Sequence, residues 1–420
     1  MDTTATKTNP LGTERVGKLI LTFAVPSIIS MVVNALYNIV DQIFIGHGVG
    51  YLGNGATNVV MPMTVIAISI SLLIGDGAAA YLSLKLGEGD ERSAAKGIGC
   101  SISVTVIAGI ILCILFNLLL KPLCILFGAT EDILPYAMDY GRIISFGMLF
   151  FCIDSGMAGM IRADGSPKYS MAGLLVGCIA NIILDPIMIF GLCGFPAMGI
   201  RGAAIATVTG QFLAMFLSLF FNYKWNTDVS IRMKGFSPDK RIIGIIYVVG
   251  VPSIVMQSIS SVMTYGMNKI LGVFSSTAVT VFGVYFKLQS FIFMPVFGLN
   301  NGMIPIIAYN YGARNRKRIM DTARLSILIA VGIMLLGLAA FQLFPRELLL
   351  LFDASEHMLE IGVPALRLIS LSFLFAGYCI IVGSIFQALG NGVYSLIVSV
   401  ARQLFCILPI AWLFARLWGL

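Results

Sequence analysis

Long apolar runs, separated by short polar or glycine-rich segments, follow one another along the whole chain. About 20 apolar residues are enough for an α-helix to cross the hydrocarbon core of a bilayer. The pattern predicts eleven such helices, near residues 17–46, 55–85, 94–120, 133–160, 168–190, 200–222, 242–272, 278–309, 319–343, 355–385 and 393–418. The segments between these runs are too short for a soluble domain.

The composition agrees with a polytopic membrane protein. Apolar residues make up 58% of the chain and charged residues 11%, compared with roughly 25% charged residues in an ordinary soluble domain. The net charge of +7 could suggest nucleic acid, but most Lys and Arg fall in loops on one side of the membrane. The loops on the other side hold only Lys121, Arg201 and Arg346. The positive-inside rule therefore predicts a multi-pass cell-membrane protein with a cytoplasmic N-terminus, and no nucleic-acid partner.

The chain also repeats itself. The sequence AVPSI at 24–28 returns as GVPSI at 250–254, and RADGSPKYS at 162–170 aligns with QALGNGVYS at 387–395. At nearly the same offset, further pairs correspond: Gly77 with Gly302, Gly87 with Gly312, and Pro186 with Pro409. A nearly constant offset over several landmarks indicates two homologous halves.

This repeat predicts the domain organisation. Residues 1–222 form an N-terminal lobe of six helices, 223–241 a cytoplasmic linker, and 242–420 a C-terminal lobe of five. Since six is even, both halves enter from the same side, and the repeat is parallel, about an axis along the membrane normal. The expected fold is all-α, with two pseudo-symmetric six-helix lobes. The repeat places a twelfth helix at about 425–447, beyond Leu420, and we expect the full gene product to continue into it.

Ionisable side chains inside the predicted helices are unevenly shared between the halves. Such groups are costly in a bilayer and mark function by default. The acids all lie in the first half: Asp41, Asp76, Asp139, Asp154 and Asp185. The second half carries bases at comparable depth, Lys287 and Arg402. The two halves are therefore expected to have different roles in the function of the protein.

Asp41 and Asp185 lie at similar distances from the outer ends of their helices, so they are candidate neighbours. Helical spacing puts Asn181 on the face of Asp185. It puts three more side chains on the face of Asp41: Asn34, Tyr37 and Asn38. Pro186 has no N–H, which frees the carbonyl group of Ile182. Such a polar pocket can hold a proton or a small cation, although a hydrogen-bonded contact between helices remains the alternative.

The other acids have simpler interpretations. Asp139 has Arg142 one turn away, which predicts a local ion pair. Asp154 lies near the inner end of its helix, where it can serve either the transport pathway or the packing. Asp76, in LIGDGAAA, resembles the Gly-x-Gly-Asp of intramembrane aspartyl proteases, but the first glycine of that motif is missing. Without a nucleophile and base or a metal-ligand cluster, neither an enzyme nor a cofactor is predicted.

Several strings together resemble the multidrug and toxic compound extrusion (MATE) family, closest to its DinF and MepA-like branch. They are VDQIFIGHG, ANIILDPIMIFG, GAAIAT, and MPVFGLNNG followed by YNYGARN. The resemblance covers essentially the whole chain. It implies a fold of two six-helix lobes around a central cavity that opens alternately to each side. It also implies export of cationic amphipathic drugs in exchange for protons or sodium.

The same resemblance implies which residues bind the coupling ion. Asp41, Asn181, Asp185 and Thr207 match the family's N-terminal-lobe cation cluster, with Tyr37 beside it. Sodium-coupled members of another branch carry acids in the seventh and tenth helices, which this chain lacks, so proton coupling is favoured and sodium stays open. A lipid-linked-precursor flippase, using the bases of the second half, is the alternative function. We expect a monomer in the bilayer with small cationic compounds as partners.

Overall fold

The computed structural model describes residues 9–225, 238–352 and 355–418. These form helices joined by short turns, and the described residues contain no strand. In chain order the helices are α1 (Pro10–Thr13), α2 (Val16–Val49), α3 (Tyr51–Gly87), α4 (Glu91–Leu126), α5 (Leu134–Ala163), α6 (Pro167–Phe190), α7 (Ile200–Trp225), α8 (Lys240–Gly272), α9 (Ser276–Gly312), α10 (Arg316–Leu343), α11 (Pro345–Leu350), α12 (Glu356–Ser370), α13 (Phe373–Ala388), α14 (Gly392–Val400), a π-helical segment (Ala401–Ile407) and α15 (Leu408–Trp418).

Each of the first nine predicted spans corresponds to one helix, while the tenth corresponds to α12 with α13 and the eleventh to α14, the π-helical segment and α15. Within the described residues, nine helical stretches are long and apolar enough to cross a membrane, and α12 with α13 forms a tenth. The 33-residue helix α8 occupies the seventh predicted span. The all-helical architecture predicted from the sequence is therefore confirmed.

Two spans are less regular than the apolar pattern predicted. The tenth bends by 48° between α12 and α13. There the N–H groups of Leu371 and Ser372 bond to the carbonyls three residues earlier, which tightens the last turn of α12 and ends it. The eleventh contains the π-helical turns that link α14 to α15. Pro409 lies just after this segment and cannot donate a backbone hydrogen bond, so regular α-helical hydrogen bonding is interrupted here as well.

As groups, helices α2–α7 and helices α10–α15 each pack mainly within their own lobe, while α8 and α9 contact both lobes extensively. The principal contacts between the two groups join α2 to α9, α3 to α8, and α3 to α9. The repeat relates α2 to α8 and α3 to α9, so the first two of these contacts are counterparts across a pseudo-twofold axis. Most of the predicted linker, residues 226–237, lies outside the described residues, and the domain boundaries stay a prediction.

The hydrophobic clusters show where the two groups of helices meet. We call the half of the molecule that contains Val16 the inner half, because it is predicted to be cytoplasmic. The outer cluster of the first lobe, around Ile45, Val60 and Ile189, consists of first-lobe residues. In the inner half, first-lobe Phe23 packs into a second-lobe cluster and second-lobe Ile246 into a first-lobe one. The described cores therefore cross between lobes in the inner half.

Glycines allow the closest part of this inner contact. A Cβ atom on Gly87 would lie 1.9 Å from the carbonyl oxygen of Tyr309, and one on Gly312 would lie 2.2 Å from that of Leu84. Gly312 and Tyr309 are the repeat counterparts of Gly87 and Leu84, so the contact is reciprocal. Small residues are what allow helix backbones to approach this closely in a membrane.

Candidate cation site in the first lobe

The outer halves of α2, α6 and α7 bring four polar side chains together. These are Asp41 of α2, Asn181 and Asp185 of α6, and Thr207 of α7, and we call them the outer polar cluster. Their exposed fractions are 6%, 2%, 0% and 7%. The carboxyl groups of Asp41 and Asp185 approach each other closely enough to share a hydrogen bond when one of them carries a proton. The sequence-based pairing of these two acids is thus present in the structure.

Asn181 organises the cluster. Its Nδ2 donates to Asp185 Oδ1 at 3.3 Å and to Thr207 Oγ1 at 3.2 Å. Asn181 and Asp185 are one helical turn apart, so the first contact is a property of α6 itself. The second depends on the close approach of α6 and α7, where a Cβ on Gly177 would lie 2.9 Å from the carbonyl oxygen of Gly210. Both amide protons are used, and the amide oxygen is left free.

Three buried oxygens of the cluster have no hydrogen-bond partner among the residues that the structure describes. They are Oδ1 of Asp41, Oδ1 of Asn181 and Oδ2 of Asp185. Buried polar atoms are normally paired, and an uncompensated buried carboxylate is costly. All three atoms accept hydrogen bonds or bind cations, and none can donate while the acids are ionised. The arrangement therefore fits a proton, or a small hard cation that prefers oxygen ligands.

Two aromatic hydroxyls lie close to the acids. The hydroxyl groups of Tyr37 and Tyr140 both interact electrostatically with the carboxyl groups of Asp41 and Asp185. Tyr37 was predicted from helical spacing. Tyr140, on α5, was missed, because no spacing rule links it to the other helices. Neighbouring Gln42 approaches Asp41 and accepts a 3.1 Å hydrogen bond from Thr57, which connects the site to α3 as well.

Asn34 and Asn38 lie on exposed positions of α2. The side chain of Asn38 donates to the backbone carbonyl of Asn34 at 2.6 Å, so it caps its own helix turn rather than contacting Asp41. These two residues are outside the outer polar cluster, although they sit on the same helix. Helical spacing alone put them on the Asp41 face and could not indicate which side chains point to neighbouring helices.

Two other predicted acids have partners of their own. Asp139 forms an ion pair with Arg201 of α7 at 2.9 Å, and the prediction that Arg142 is its partner was wrong. The outer ends of α5 and α7 lie side by side, and this brings Arg201 to Asp139 while Arg142 stays exposed. Asp154 accepts a 2.7 Å hydrogen bond from Ser218 in the inner half, away from the outer polar cluster.

Comparison with known proteins identifies the family. The MatE family model matches residues 26–187 and matches again at 252–413. The chain belongs to the MatE family. The two matches fall one on each half of the chain, as the internal repeat predicted. The two-lobe fold inferred from the sequence is confirmed, and the chain is a transporter rather than an enzyme.

Relatives within the MatE family have informative names. The multidrug export protein MepA of Staphylococcus haemolyticus is 27% identical over 412 residues, which cover 96% of this chain and 88% of that protein. Its counterpart from Staphylococcus aureus strain NCTC 8325 is 26% identical over the same shares of both chains. The predicted MepA-like resemblance is confirmed.

Solved structures of the same family are similar along almost the entire chain. An outward-facing multidrug resistance MATE family transporter of the MOP superfamily superimposes with a TM-score of 0.90 at 25% identity, covering 99% of this chain and 92% of that one. A MATE crystal structure in complex with MaL6 gives a TM-score of 0.90 at 25% identity, covering 98% and 91%. The arrangement of helices around the outer polar cluster is thus that of this family.

Proposed function

We propose that this protein exports cationic amphipathic compounds across the bacterial cell membrane by antiport, taking up a proton at the outer polar cluster in exchange. The observation that carries the proposal is the buried pair Asp41 and Asp185, whose unpartnered oxygens need a cation. The names of the MepA relatives support multidrug export in preference to a lipid-precursor flippase. The flippase alternative relied on Lys287 and Arg402. Lys287 lies 5.9 Å over the ring of Phe352, so its ammonium group already has a cation–π partner within the second lobe.

Coupling follows from competition for negative charge. When a proton binds to the Asp41–Asp185 pair, one unit of charge is lost, and a cationic compound in the cavity loses part of its attraction. The hydrogen bonds that Asn181 makes to Asp185 and Thr207 then rearrange. Proton and substrate therefore weaken each other's binding, and this reciprocal effect is the coupling free energy of an antiporter.

The transport cycle is proposed to be alternating access. The described cores and the reciprocal glycine contact join the lobes in the inner half, which supports an outward-open state with the cytoplasmic side closed. The proposed orientation places the N-terminus in the cytoplasm, and the proposed working unit is a monomer, because the cluster is complete within one chain.

The stoichiometry can be tested with ion gradients. One proton exchanged for one monovalent cation moves no net charge, so only the pH difference drives transport, at about 1.4 kcal/mol per pH unit. In proteoliposomes without sodium, an imposed pH gradient should drive a monovalent fluorescent cation, and a membrane potential alone should do little. Transport that requires a sodium gradient and ignores pH would refute proton coupling and assign the same oxygens to sodium.

A further inference from the structure

Three polar positions in the inner half each occur twice because of the repeat. The two copies differ in chemistry: Asp76 corresponds to Asn301, Ser253 to Ser27, and Gln387 to Arg162. The first copy, Asp76 with Ser253 and Gln387, takes one residue from the first lobe and two from the second. We call it the interlobe triad.

The interlobe triad is connected by hydrogen bonds. Ser253 of α8 donates through Oγ to Asp76 Oδ2 at 3.3 Å. Gln387 of α13 in turn donates through Nε2 to Ser253 Oγ at 3.4 Å. The two bonds reinforce each other. Because the Ser253 oxygen accepts the hydrogen bond from Gln387, the hydroxyl proton of Ser253 points toward the Asp76 carboxylate. The chain of bonds crosses from one lobe to the other within the membrane-spanning helices.

The backbones on both sides of this connection are in close contact. A Cβ on Gly77 would lie 2.2 Å from the carbonyl oxygen of Ile246, and one on Gly250 would lie 1.9 Å from that of Leu73. Gly77 is adjacent to Asp76 and Gly250 is one turn from Ser253. The short serine side chain reaches the carboxylate because these glycines let α3 and α8 approach. The hydrogen bond thus depends on the closed inner contact.

Arg162 provides the opposite charge for Asp76. It lies on α5 in the first lobe, where it interacts electrostatically with Asp76 and Asp154, and its Nη1 donates to Ser170 at 3.2 Å. Asp76 and Arg162 belong to the same lobe and move together, while the second lobe contributes neutral donors. Separation of the lobes would therefore leave no unbalanced charge, which is otherwise the main cost of breaking a buried charged contact.

The second copy of the triad lacks this connection. Ser27, the counterpart of Ser253, is buried, and its Oγ has no hydrogen-bond partner in the described part of the chain. One of two related positions has therefore acquired an interlobe hydrogen bond to a carboxylate, and the other has not. This difference is informative because the two serines share the same local sequence, Pro-Ser-Ile.

We propose that the interlobe triad is a lock that holds the inner side closed and that must break each time the transporter opens to the cytoplasm. Asp76 and Ser253 are then positioning residues that set the population of the outward-open state, without contacting the transported compound. The inference rests on the proposed alternating-access cycle. It goes beyond that cycle by assigning the closed state to particular side chains that lie apart from the outer polar cluster.

Amide hydrogen exchange of the full chain in lipid nanodiscs tests the lock without any transport measurement. Ser253→Ala removes the donor to Asp76 and leaves every charge in place. We expect peptides that cover residues 84–88 and 309–313 to exchange about tenfold faster in this variant, which corresponds to about 1.4 kcal/mol. Ser27→Ala makes the same change in the same motif without losing a hydrogen bond, and it should exchange like the parent protein.

Asp76→Asn provides a second variant, expected to shift exchange in the same direction because a neutral amide is a weaker acceptor than a carboxylate. Equal exchange in Ser253→Ala, Ser27→Ala and the parent, in samples that remain monodisperse, would overturn the lock. Faster exchange over all helices in Ser253→Ala would also overturn it, because that result indicates general loosening. If Ser253→Ala and Asp76→Asn exchange faster at the inner contact but the parent protein transports no cation, the proposed function is wrong and the lock is still supported.

Discussion

The contact between α2 and α6 in the first lobe has a repeat counterpart between α8 and the last span of the second lobe, and we call each of these contacts a seam. The two seams have opposite chemistry. In the first lobe, α2 and α6 face each other through Asp41 and Asp185. In the second lobe, Gly266 of α8 lies within one residue of the counterpart of Asp41, and Leu408 takes the place of Asp185. Leu408 packs onto Gly266, since a Cβ there would be 2.8 Å from Leu408 Cδ2. The repeated fold needs this seam to be filled, but it does not need an acid in it. Under the proposed function, the acids of the first lobe are an addition to a shared scaffold that serves ion binding rather than packing.

Neutralising an acid of the first-lobe seam should have the largest effect. Asp41→Asn and Asp185→Asn each remove the charge for which proton and substrate are proposed to compete, so we expect export of a cationic dye to fall about 100-fold, which corresponds to about 2.8 kcal/mol. Dye accumulation in everted membrane vesicles measures this.

The control for this prediction is Glu360→Gln, which neutralises an exposed acid at the outer end of the second lobe. It should leave export close to the parent level, with equal amounts of each variant in the membrane. If Asp41→Asn exported the dye as well as the parent protein, Asp41 would be a packing residue and the comparison of the two seams would carry no functional meaning.

Placing an acid in the second-lobe seam should be harmful without adding function. Leu408→Asp introduces a carboxylate against Gly266. At the offset that relates Pro186 to Pro409, Leu404 takes the place of Asn181, so that position offers no side-chain donor. We expect a loss of stability of about 2–4 kcal/mol, as for a charge near the centre of a membrane helix. Thermal unfolding in detergent measures the loss, with Leu408→Met as the matched apolar control. A fully stable Leu408→Asp would mean that this seam is hydrated.

Within the outer polar cluster, changes at the neutral side chains should have intermediate effects. Asn181→Ala removes the donor to both Asp185 and Thr207, so the apparent affinity for the coupling ion should weaken about tenfold. Thr207→Ser keeps the hydroxyl and should behave like the parent. The dependence of dye transport on external proton concentration measures both. A large defect in Thr207→Ser would show that the methyl group, and hence packing, matters more than the hydrogen bond.

The smallest effect is expected outside the membrane, where α4 meets the beginning of α8. The ammonium of Lys96 lies 3.0 Å from Asp239 Oδ2, and this hydrogen bond holds the pKa of Asp239 below its usual value. A lowered pKa in the folded protein stabilises it above the unfolded pKa, near 3.9. That contribution is lost as the pH falls through the lowered value.

Lys96→Met should therefore lower the thermal midpoint slightly at neutral pH, and the difference from the parent should shrink below about pH 4. Lys96→Arg, which keeps the charge, is the control. A difference that persists unchanged at pH 3 would assign the effect to the packing of the Lys96 side chain.

Much of the fold could be predicted because it depends on distances along the chain. The length of the apolar runs gave the spans, and the spacing of AVPSI and GVPSI gave the repeat. The bend between α12 and α13 could not be predicted, because it depends on local bonds at Leu371 and Ser372 that leave no mark in the apolar pattern.

The candidate site was predictable to a similar extent. Asp41 and Asp185 could be paired because they lie at the same depth, and Asn181 because it is one turn from Asp185. Tyr140 and the Arg201 partner of Asp139 were not predictable, because they depend on how α5 is rotated against its neighbours. Spacing rules describe one helix at a time, and contacts across helices require the packing itself.

The reciprocal contact of Gly87 and Gly312 bears on how such a protein could arise. Each glycine meets a carbonyl of the other helix at an equivalent position, as in the self-complementary interface of a twofold-symmetric homodimer. Six helices return the chain to its starting side, so one short connection is enough to fuse two such subunits into a single polypeptide. In a homodimer encoded by one gene, any mutation alters both subunits at once. Fusion of the genes lets each lobe change alone, so that one lobe can collect buried acids while the other keeps its apolar seam.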